Sequence, residues 1–264
     1  MNHHLQALIN AFIAQDEVHA IALGGSRSTG RNDHLSDYDL YVYLNSPLED
    51  STRVKLLSPH CSYMEIGNTF WEPEDNCILM KGDDLDIIYR NIKSFIQTVA
   101  NVAENHRCSN GNTTSRWHNL VTCEILYDPS GNLKKAQKRF SIPYPETLRI
   151  NIVQRNMKLL TSSIISLEKQ MKRAVERQDL FNINNRVTLF LGCYFDIIFA
   201  INRELNPGEK RIIPICMETC SILPSRFKEN IEALLTWQNE TISHMPRLLD
   251  EIVAELKKVI EENR

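Results

Sequence analysis

The 264-residue sequence has no hydrophobic run long enough to cross a membrane. Its most apolar stretch, 187–201, contains Asp196 and is followed at once by polar and charged residues. A membrane-spanning helix needs about 20 apolar residues, so this stretch predicts a buried helix of a protein core. The N-terminal residues MNHHLQALINAF lack a basic segment followed by a long apolar one, and we therefore expect no signal peptide.

The sequence also lacks an excess of positive charge. It has 30 Lys and Arg against 33 Asp and Glu, which gives a net charge of −3. A protein whose main partner is a long nucleic acid generally has a strongly basic surface, so we expect no such partner. The hydrophobic fraction of 42% and the charged fraction of 24% are typical of a soluble globular protein with a real core.

Cysteine motifs are a third absence. The 7 cysteines are scattered, and no Cys-x-x-Cys pair occurs. Cys216 and Cys220 are spaced to share a helix face, but no histidine follows at a ligand spacing, which argues against a structural zinc site. We interpret the cysteines as reduced thiols, and we expect a cytoplasmic protein.

The chain shows no internal repeat and no low-complexity tract, and its secondary-structure signals change character near residue 141. Before that point, the patterns predict strands over 18–25, 38–44 and 61–67, a strand pair around a turn at 82–84, and a strand from 120. Helical spacing predicts helices over 5–13 and 92–102, and 68–76 is interpreted as a loop.

After the proline-containing linker 141–147 the signals are helical. An apolar stripe from Val153 to Ala174 predicts one long helix, followed by helices over about 187–205, 225–240 and 246–261. We therefore predict an α+β protein with two domains. Residues 1–140 form a small mixed sheet flanked by helices, and residues 141–264 form a helical bundle.

The stretch GGSRSTGRNDHLSDYD, from Gly24 to Asp39, carries the chemistry. Gly24, Gly25 and Ser26 follow a strand, where glycine lets the backbone approach a ligand closely. If a helix starts there, its N–H groups and dipole favour an anion such as phosphate. Taken alone this is a weak signal, because a strand-to-helix turn often uses glycine for geometry only.

Asp37 and Asp39 are two residues apart at the start of a strand, so their carboxylates face the same side. Two like charges held together are unfavourable unless cations neutralise them, and Mg²⁺ prefers oxygen ligands. A third carboxylate on a neighbouring strand would complete a site. Asp83, Asp84 and Asp86 are candidates, and we favour Asp86 because strand-like residues flank it.

These residues resemble the signature of the DNA polymerase β-type nucleotidyltransferase superfamily, in which a Gly-Ser turn precedes an Asp-x-Asp pair and a third Asp lies on a later strand. The resemblance covers the first third of the chain. The helical C-terminal half is similar, in architecture only, to bacterial nucleotidyltransferases that modify small molecules, including aminoglycoside and lincosamide resistance enzymes.

The resemblance implies transfer of a nucleoside monophosphate from an NTP, with ATP as the default, to a hydroxyl group, with release of pyrophosphate. It implies that Gly24, Gly25 and Ser26 hold the triphosphate. It implies that Asp37 and Asp39 bind two Mg²⁺ ions, and that Asp86 binds the catalytic one and helps to deprotonate the acceptor.

Three further residues are candidates with less specific signals. Asp196 interrupts an apolar helix and either acts on the acceptor or pairs with a basic residue such as Arg186 or Arg203. Glu65 is a candidate extra acid near the metals or substrate. Lys210 lies in a basic Pro-Gly loop and is a candidate triphosphate contact.

The acceptor stays open at the level of sequence. Our leading hypothesis is a small molecule, of which an antibiotic is one example. The first alternative is a protein or tRNA acceptor, although such enzymes tend to be shorter, and the acidic balance argues against tRNA. The second alternative is a nucleotide-binding regulatory module without catalysis, in which we would expect one of the three carboxylates to be missing. The sequence does not indicate an oligomeric state.

Overall fold

A computed structural model describes residues 3–238 and 241–263. Residues 239 and 240, at the end of the helix predicted over 225–240, lie outside the described residues. None of the described helices is both long enough and apolar enough to span a bilayer.

A six-stranded mixed sheet forms from the first half of the chain, in the order β3-β4-β5-β2-β1-β6. The pair β2–β5 is parallel, and the other neighbouring pairs are antiparallel. The strands are β1 (Val18–Leu23), β2 (Tyr38–Leu44), β3 (Cys61–Asn68), β4 (Glu74–Leu79), β5 (Asp84–Asn91) and β6 (Glu124–Tyr127).

Helices occupy most of the remaining chain. The earlier ones are α1 (His3–Ile13), α2 (Gly25–Ser28), α3 (Asp50–Leu57), α4 (Ile92–Ala103), α5 (Ser115–Thr122) and α6 (Asn132–Phe140). The later ones are α7 (Glu146–Met157), α8 (Leu167–Glu176), α9 (Leu180–Asn202), α10 (Ile212–Thr219), α11 (Phe227–Leu235) and α12 (Met245–Glu262). The predicted α+β class, with a mixed sheet followed by a helical region, is confirmed.

The chain divides into two compact units that differ from the predicted domains. The first unit contains residues up to Ala100 together with Asn119–Ile142, and the second contains Asn101–His118 together with the chain from Pro143 onward. The sequence-based boundary at 140/141 assigned 101–118 to the first domain. No composition change marks this segment, and its membership is set by contacts with α7 and α9.

The core of the first unit lies between one face of the sheet and helices α1 and α3. Alternate residues of β2, such as Leu40 and Val42, point into this core with Leu8 and Phe12 of α1. Because side chains alternate along a strand, the other face of β2 presents Asp39, Tyr41 and Tyr43. The candidate site residue Asp39 therefore lies on the sheet face opposite this core.

The core of the second unit surrounds α9. Ile197, Ile198 and Phe199 are at most 1% exposed, so the helix is buried around its whole circumference near its C-terminal end. This agrees with the prediction of a buried helix, although α9 begins at Leu180 rather than near 187.

Three sequence expectations are corrected. The stripe from Val153 to Ala174 is two helices, since a π-helical turn (Lys158–Ser162) ends α7 and leaves Ile164 89% exposed before α8. The segment 68–76 is not entirely loop, because β3 extends to Asn68 and β4 begins at Glu74. The strand predicted from 120 begins only at Glu124, because α5 continues to Thr122.

Candidate active site

Three carboxylates meet at the start of strands β2 and β5. Asp39 and Asp86 are directly paired across the parallel strands, and Asp37 immediately precedes β2. One ligand oxygen from each of the three lies within 4.8 Å of the others. Neighbouring strands are about 4.8 Å apart, so this register alone holds two of the carboxylates together. All three residues are half-buried.

The glycine pair makes room for this arrangement. The Gly24 N–H donates a hydrogen bond of 2.8 Å to the Asp39 carbonyl, which ties the turn to β2. A Cβ on Gly25 would lie 1.8 Å from Asp39 Oδ2, and a Cβ on Gly24 would lie 2.0 Å from Cε2 of Tyr41. Gly25 also has a φ of +64°, which side chains other than glycine rarely adopt. Glycine is therefore required here for close approach as well as for the turn.

Arg27 in α2 fixes the loop that presents Asp37. Its Nε donates to the Asp37 carbonyl at 2.8 Å, and its Nη2 donates to the Ser36 carbonyl at 2.6 Å. The guanidinium carbon lies 3.8 Å from the ring centroid of Tyr38, within range of a cation–π contact. Arg27 thus holds the backbone of the first carboxylate, a role that the sequence analysis missed.

The third carboxylate is held by a neighbouring amide. Asn76 in β4 lies opposite Asp86, and its Nδ2 donates to Asp86 Oδ1 at 2.7 Å. Glu74, on the same face of β4, has its pKa raised by burial and then by the charge of Asp86. Asn76 and Glu74 were missed because the sequence analysis interpreted 68–76 as a loop.

A buried arginine supports the same sheet face further along β5. Arg90 makes two parallel hydrogen bonds to the Glu72 carboxylate, of 3.0 and 2.7 Å, and donates to Asn119 Oδ1 at 2.9 Å. Asn119 in turn donates to the Tyr41 hydroxyl at 2.6 Å. Burial raises the pKa of Tyr41 to about 12, so it stays protonated at neutral pH. This network fixes the position of the Tyr41 ring, which packs against Gly24.

The remaining predicted residues lie on separate elements of the fold. Ser26 is half-buried in the first turn of α2, directly after Gly25. Glu65 is paired with Asn76, so it shares a cross-sheet row with Asp86 two strands away, at about 10 Å between the backbones. It accepts a hydrogen bond from the Tyr63 hydroxyl at 2.9 Å. Lys210 lies exposed in the turn between α9 and α10 of the second unit.

Asp196 is buried, and its carboxylate is hydrogen-bonded to neighbouring polar groups. It is 1% exposed and accepts hydrogen bonds from the Thr113 backbone N–H and hydroxyl and from Asn156 Nδ2, at 2.9, 2.6 and 3.1 Å. Neither Arg186 nor Arg203, the pairing partners weighed from the sequence, is among these donors. A carboxylate that is enclosed in this way presents almost no surface to a ligand, so the burial of Asp196 does not support a role on the acceptor, which was one of the two alternatives weighed from the sequence.

The chain carries a nucleotidyltransferase domain, as the carboxylate cluster and the glycine turn lead one to expect. Residues 5–108 match the family described as nucleotidyltransferase domain, which confirms the predicted superfamily for this part of the chain and supports a nucleotidyltransferase activity. Residues 113–211 match a second family, described as a domain of unknown function (DUF4037).

Solved structures with similarity to this chain include two bacterial proteins. A nucleotidyltransferase-like protein from Exiguobacterium sibiricum is 13% identical, with a TM-score of 0.47, and the match covers 97% of this chain and 74% of that protein. An aminoglycoside 6-adenyltransferase from Bacillus subtilis is 9% identical, with a TM-score of 0.32, and the match covers 98% of this chain and 89% of that protein. Among curated proteins, none matches the chain significantly.

Proposed function

We propose that the protein is a Mg²⁺-dependent enzyme that transfers a nucleoside monophosphate from an NTP, with ATP as the donor, to a hydroxyl group of a small molecule. The observation that carries this proposal is the convergence of Asp37, Asp39 and Asp86 within 4.8 Å beside the Gly24-Gly25 turn. The domain match supports nucleotidyl transfer in general, and the choice of metal, donor and acceptor is our inference.

The carboxylates fit a divalent cation by their chemistry and spacing. Three oxygens within 4.8 Å of one another suit Mg²⁺, which is bound by oxygen at about 2.1 Å, and also a pair of ions about 4 Å apart. When bound, such ions neutralise the triphosphate and polarise the reacting phosphoryl group.

The residues of the chain would divide the reaction among them. Gly24, Gly25 and Ser26 form the turn that binds the triphosphate, through the backbone N–H groups of Gly25 and Ser26 and the Ser26 hydroxyl, since the Gly24 N–H is bonded to Asp39. The acceptor oxygen attacks the α-phosphorus, and the new P–O bond replaces the bond to the bridging oxygen, which leaves with pyrophosphate. Asn76 donates to Oδ1 of Asp86, and the other lone pairs of this carboxylate remain for the cation and for the acceptor's proton.

A small acceptor is supported by the composition of the chain. The net charge of −3 does not favour a tRNA backbone, and the intact set of three carboxylates does not favour a module without catalysis. The seven cysteines are free thiols, which suits a reducing compartment, and we place the protein in the cytoplasm.

The test combines nucleotide binding with product analysis. Isothermal titration calorimetry with ATP and Mg²⁺ should show metal-dependent binding, and Asp39→Asn should weaken it by at least about 10-fold, since it removes one anionic ligand. Asp84→Asn is the matched control, because Asp84 lies on the same strand as Asp86, outside the carboxylate cluster, and it should bind as the wild type does.

Mass spectrometry then identifies the acceptor class. The protein is incubated with labelled NTPs, Mg²⁺ and hydroxyl-bearing small molecules, proteins or tRNA, and a mass gain of one nucleoside monophosphate marks the acceptor. Absence of ATP binding by the wild-type protein would refute the proposal. Exclusive labelling of protein or tRNA would replace the small molecule by one of those acceptors.

A further inference from the structure

Three polar side chains form a continuous hydrogen-bonded chain that ends on the third carboxylate. Asn68, at the end of β3, donates from Nδ2 to Asn76 Oδ1 at 2.8 Å. Asn76 donates from its own Nδ2 to Asp86 Oδ1 at 2.7 Å. The three residues therefore cross from the edge strand β3 through β4 to β5 on one face of the sheet.

The direction of this chain is fixed by a backbone group. An asparagine amide can be turned by 180° with little change of shape, so its orientation depends on its partners. The Phe70 N–H donates to Asn68 Oδ1 at 2.9 Å, and because an N–H can only donate, it holds the oxygen of Asn68 on its own side. The NH₂ group of Asn68 then faces Asn76, whose oxygen accepts it and whose NH₂ group is directed at Asp86.

The hydrogen-bonding groups of Asn76 are used on both sides. Its oxygen accepts from Asn68, and its NH₂ group donates to the carboxylate of Asp86. Asn76 thus links the amide of Asn68 to the carboxylate of Asp86. An acceptor at this position would repel the Asp86 carboxylate, and an apolar side chain would leave Asp86 Oδ1 without this donor.

We propose that Asn68 and Asn76 are positioning residues that orient the Asp86 carboxylate for cation binding, with the Phe70 N–H setting the orientation of both amides. The hydrogen bond to Oδ1 stops rotation of the carboxylate and directs Oδ2 away from β4. This inference rests on the proposed metal site. Removal of a residue that hydrogen-bonds to a metal ligand typically lowers metal affinity or activity by about 10- to 100-fold.

The experiment measures binding of Mn²⁺ alone, by the electron paramagnetic resonance signal of the free ion, and needs no acceptor. Asn76→Ala should weaken Mn²⁺ binding by about 10-fold. Asn68→Asp should have a similar effect although it touches no metal ligand, because an aspartate has no N–H to offer and turns the Asn76 amide so that its oxygen faces Asp86. Asn68 is near the end of an edge strand, so this near-isosteric change should not prevent folding.

A double-mutant cycle separates positioning from a general loss of structure. In an Asp86→Asn background, Asn76→Ala should change Mn²⁺ affinity by less than about two-fold, because residues that act through one another are not additive. Ser62→Ala is the control on β3, since its hydroxyl bonds to the Ile78 carbonyl outside this chain of amides, and it should bind as the wild type does.

The outcomes distinguish this inference from the proposed function. If the wild type binds Mn²⁺, Asp86→Asn weakens it and Asn76→Ala and Asn68→Asp do not, the positioning role is wrong and the metal site stands. If Asn76→Ala weakens Mn²⁺ binding equally in the wild type and in the Asp86→Asn variant, the effect is structural and the inference is overturned. If the wild type itself binds no Mn²⁺, both fall together.

Discussion

At the scale of single residues, the site depends on the absence of two Cβ atoms. Gly24 and Gly25 lie against the ring of Tyr41 and the carboxylate of Asp39, closer than any side chain allows. The turn that we propose binds phosphate and the carboxylate that we propose binds a cation can therefore share one small volume. The two glycines do more than form the turn, because the absence of their side chains lets β2 place the carboxylate of Asp39 directly against it.

We predict that Gly25→Ala weakens Mg²⁺-dependent ATP binding by at least about 10-fold. The new Cβ must displace Asp39, and the φ of +64° adds strain of about 1 kcal/mol. Gly30→Ala is the matched control, since Gly30 has a φ of +69° but nothing within 4 Å of its added Cβ. It should lose similar stability and bind ATP within two-fold of the wild type, as measured by calorimetry. Equal loss of binding in both variants would attribute the effect to backbone strain alone.

At the scale of elements, the parallel pairing of β2 with β5 decides the site. These strands are far apart in sequence, and their register places Asp39 opposite Asp86 and Tyr43 opposite Arg90. The negatively charged Asp39 and Asp86 therefore lie at one end of this strand pair, and Arg90 lies towards the other end. Arg90 forms an ion pair with Glu72, and the two side chains are 9% and 27% exposed. The loop before β4 supplies Glu72, so this pair connects the loop to the sheet.

We predict that Arg90→Lys lowers the free energy of unfolding by about 2 kcal/mol. Lysine keeps the charge but loses the two-pronged geometry that meets Glu72 and the third bond to Asn119. The control is Arg226→Lys, which alters an ion pair with Glu251 whose side chains are 64% and 40% exposed and should cost less than about 0.5 kcal/mol. Urea unfolding measures the loss of unfolding free energy in both variants. Equal losses would show that the buried two-pronged geometry of Arg90 does not contribute to stability.

At the scale of the whole molecule, the second unit is organised around a buried carboxylate. Asp196 in α9 binds Thr113, from the segment 101–118, and Asn156, from α7. Asn206 also bonds to Thr114 through its backbone N–H, at 2.8 Å. These hydrogen bonds join segments that are distant in sequence. They explain why 101–118 belongs to the second unit, although the residues on both sides of it belong to the first.

Asp196 also makes the stability of the protein depend on pH. Burial raises the pKa of Asp196, although the donors of Thr113 and Asn156 act against this. At pH values between the ordinary and the raised pKa, the folded state therefore binds this proton more strongly than the unfolded state does. The stabilisation is fully present below about pH 4, the ordinary pKa of aspartate, and is lost as pH rises through the raised value.

We predict that Asp196→Asn removes this slope, because asparagine does not titrate. Between pH 4 and 7 the wild type should lose unfolding free energy relative to the variant as pH rises, measured by urea titrations monitored by circular dichroism. Asp179→Asn is a suitable control, since Asp179 is an exposed N-cap residue of α9 that bonds the Asn182 N–H. An Asp196→Asn variant with the same pH slope as the wild type would contradict the assignment.

Much of the first unit could be predicted from local signals, and the failures have physical causes. Strands β1 and β2 carry apolar residues bounded by glycines and acids, so their limits were readable. The strand β4 was missed over Glu74–Asn76, because acidic and amide residues have low strand propensity and are placed there by their neighbours. The break between α7 and α8 was missed because an apolar stripe at helical spacing does not reveal a π-helical turn.

The glycine turn after β1 and the two acids at the start of β2 could be read from the sequence alone, and they meet because the end of one strand and the start of the next share one end of an antiparallel pair. The sequence also determined the α+β class, because periodicity is local. Only the tertiary structure decided which third acid joins the pair, which amides orient it, and that Asp196 is enclosed by Thr113 and Asn156. These depend on strand order and on contacts between distant segments, which arise when the chain buries its two cores and leave no local pattern to read.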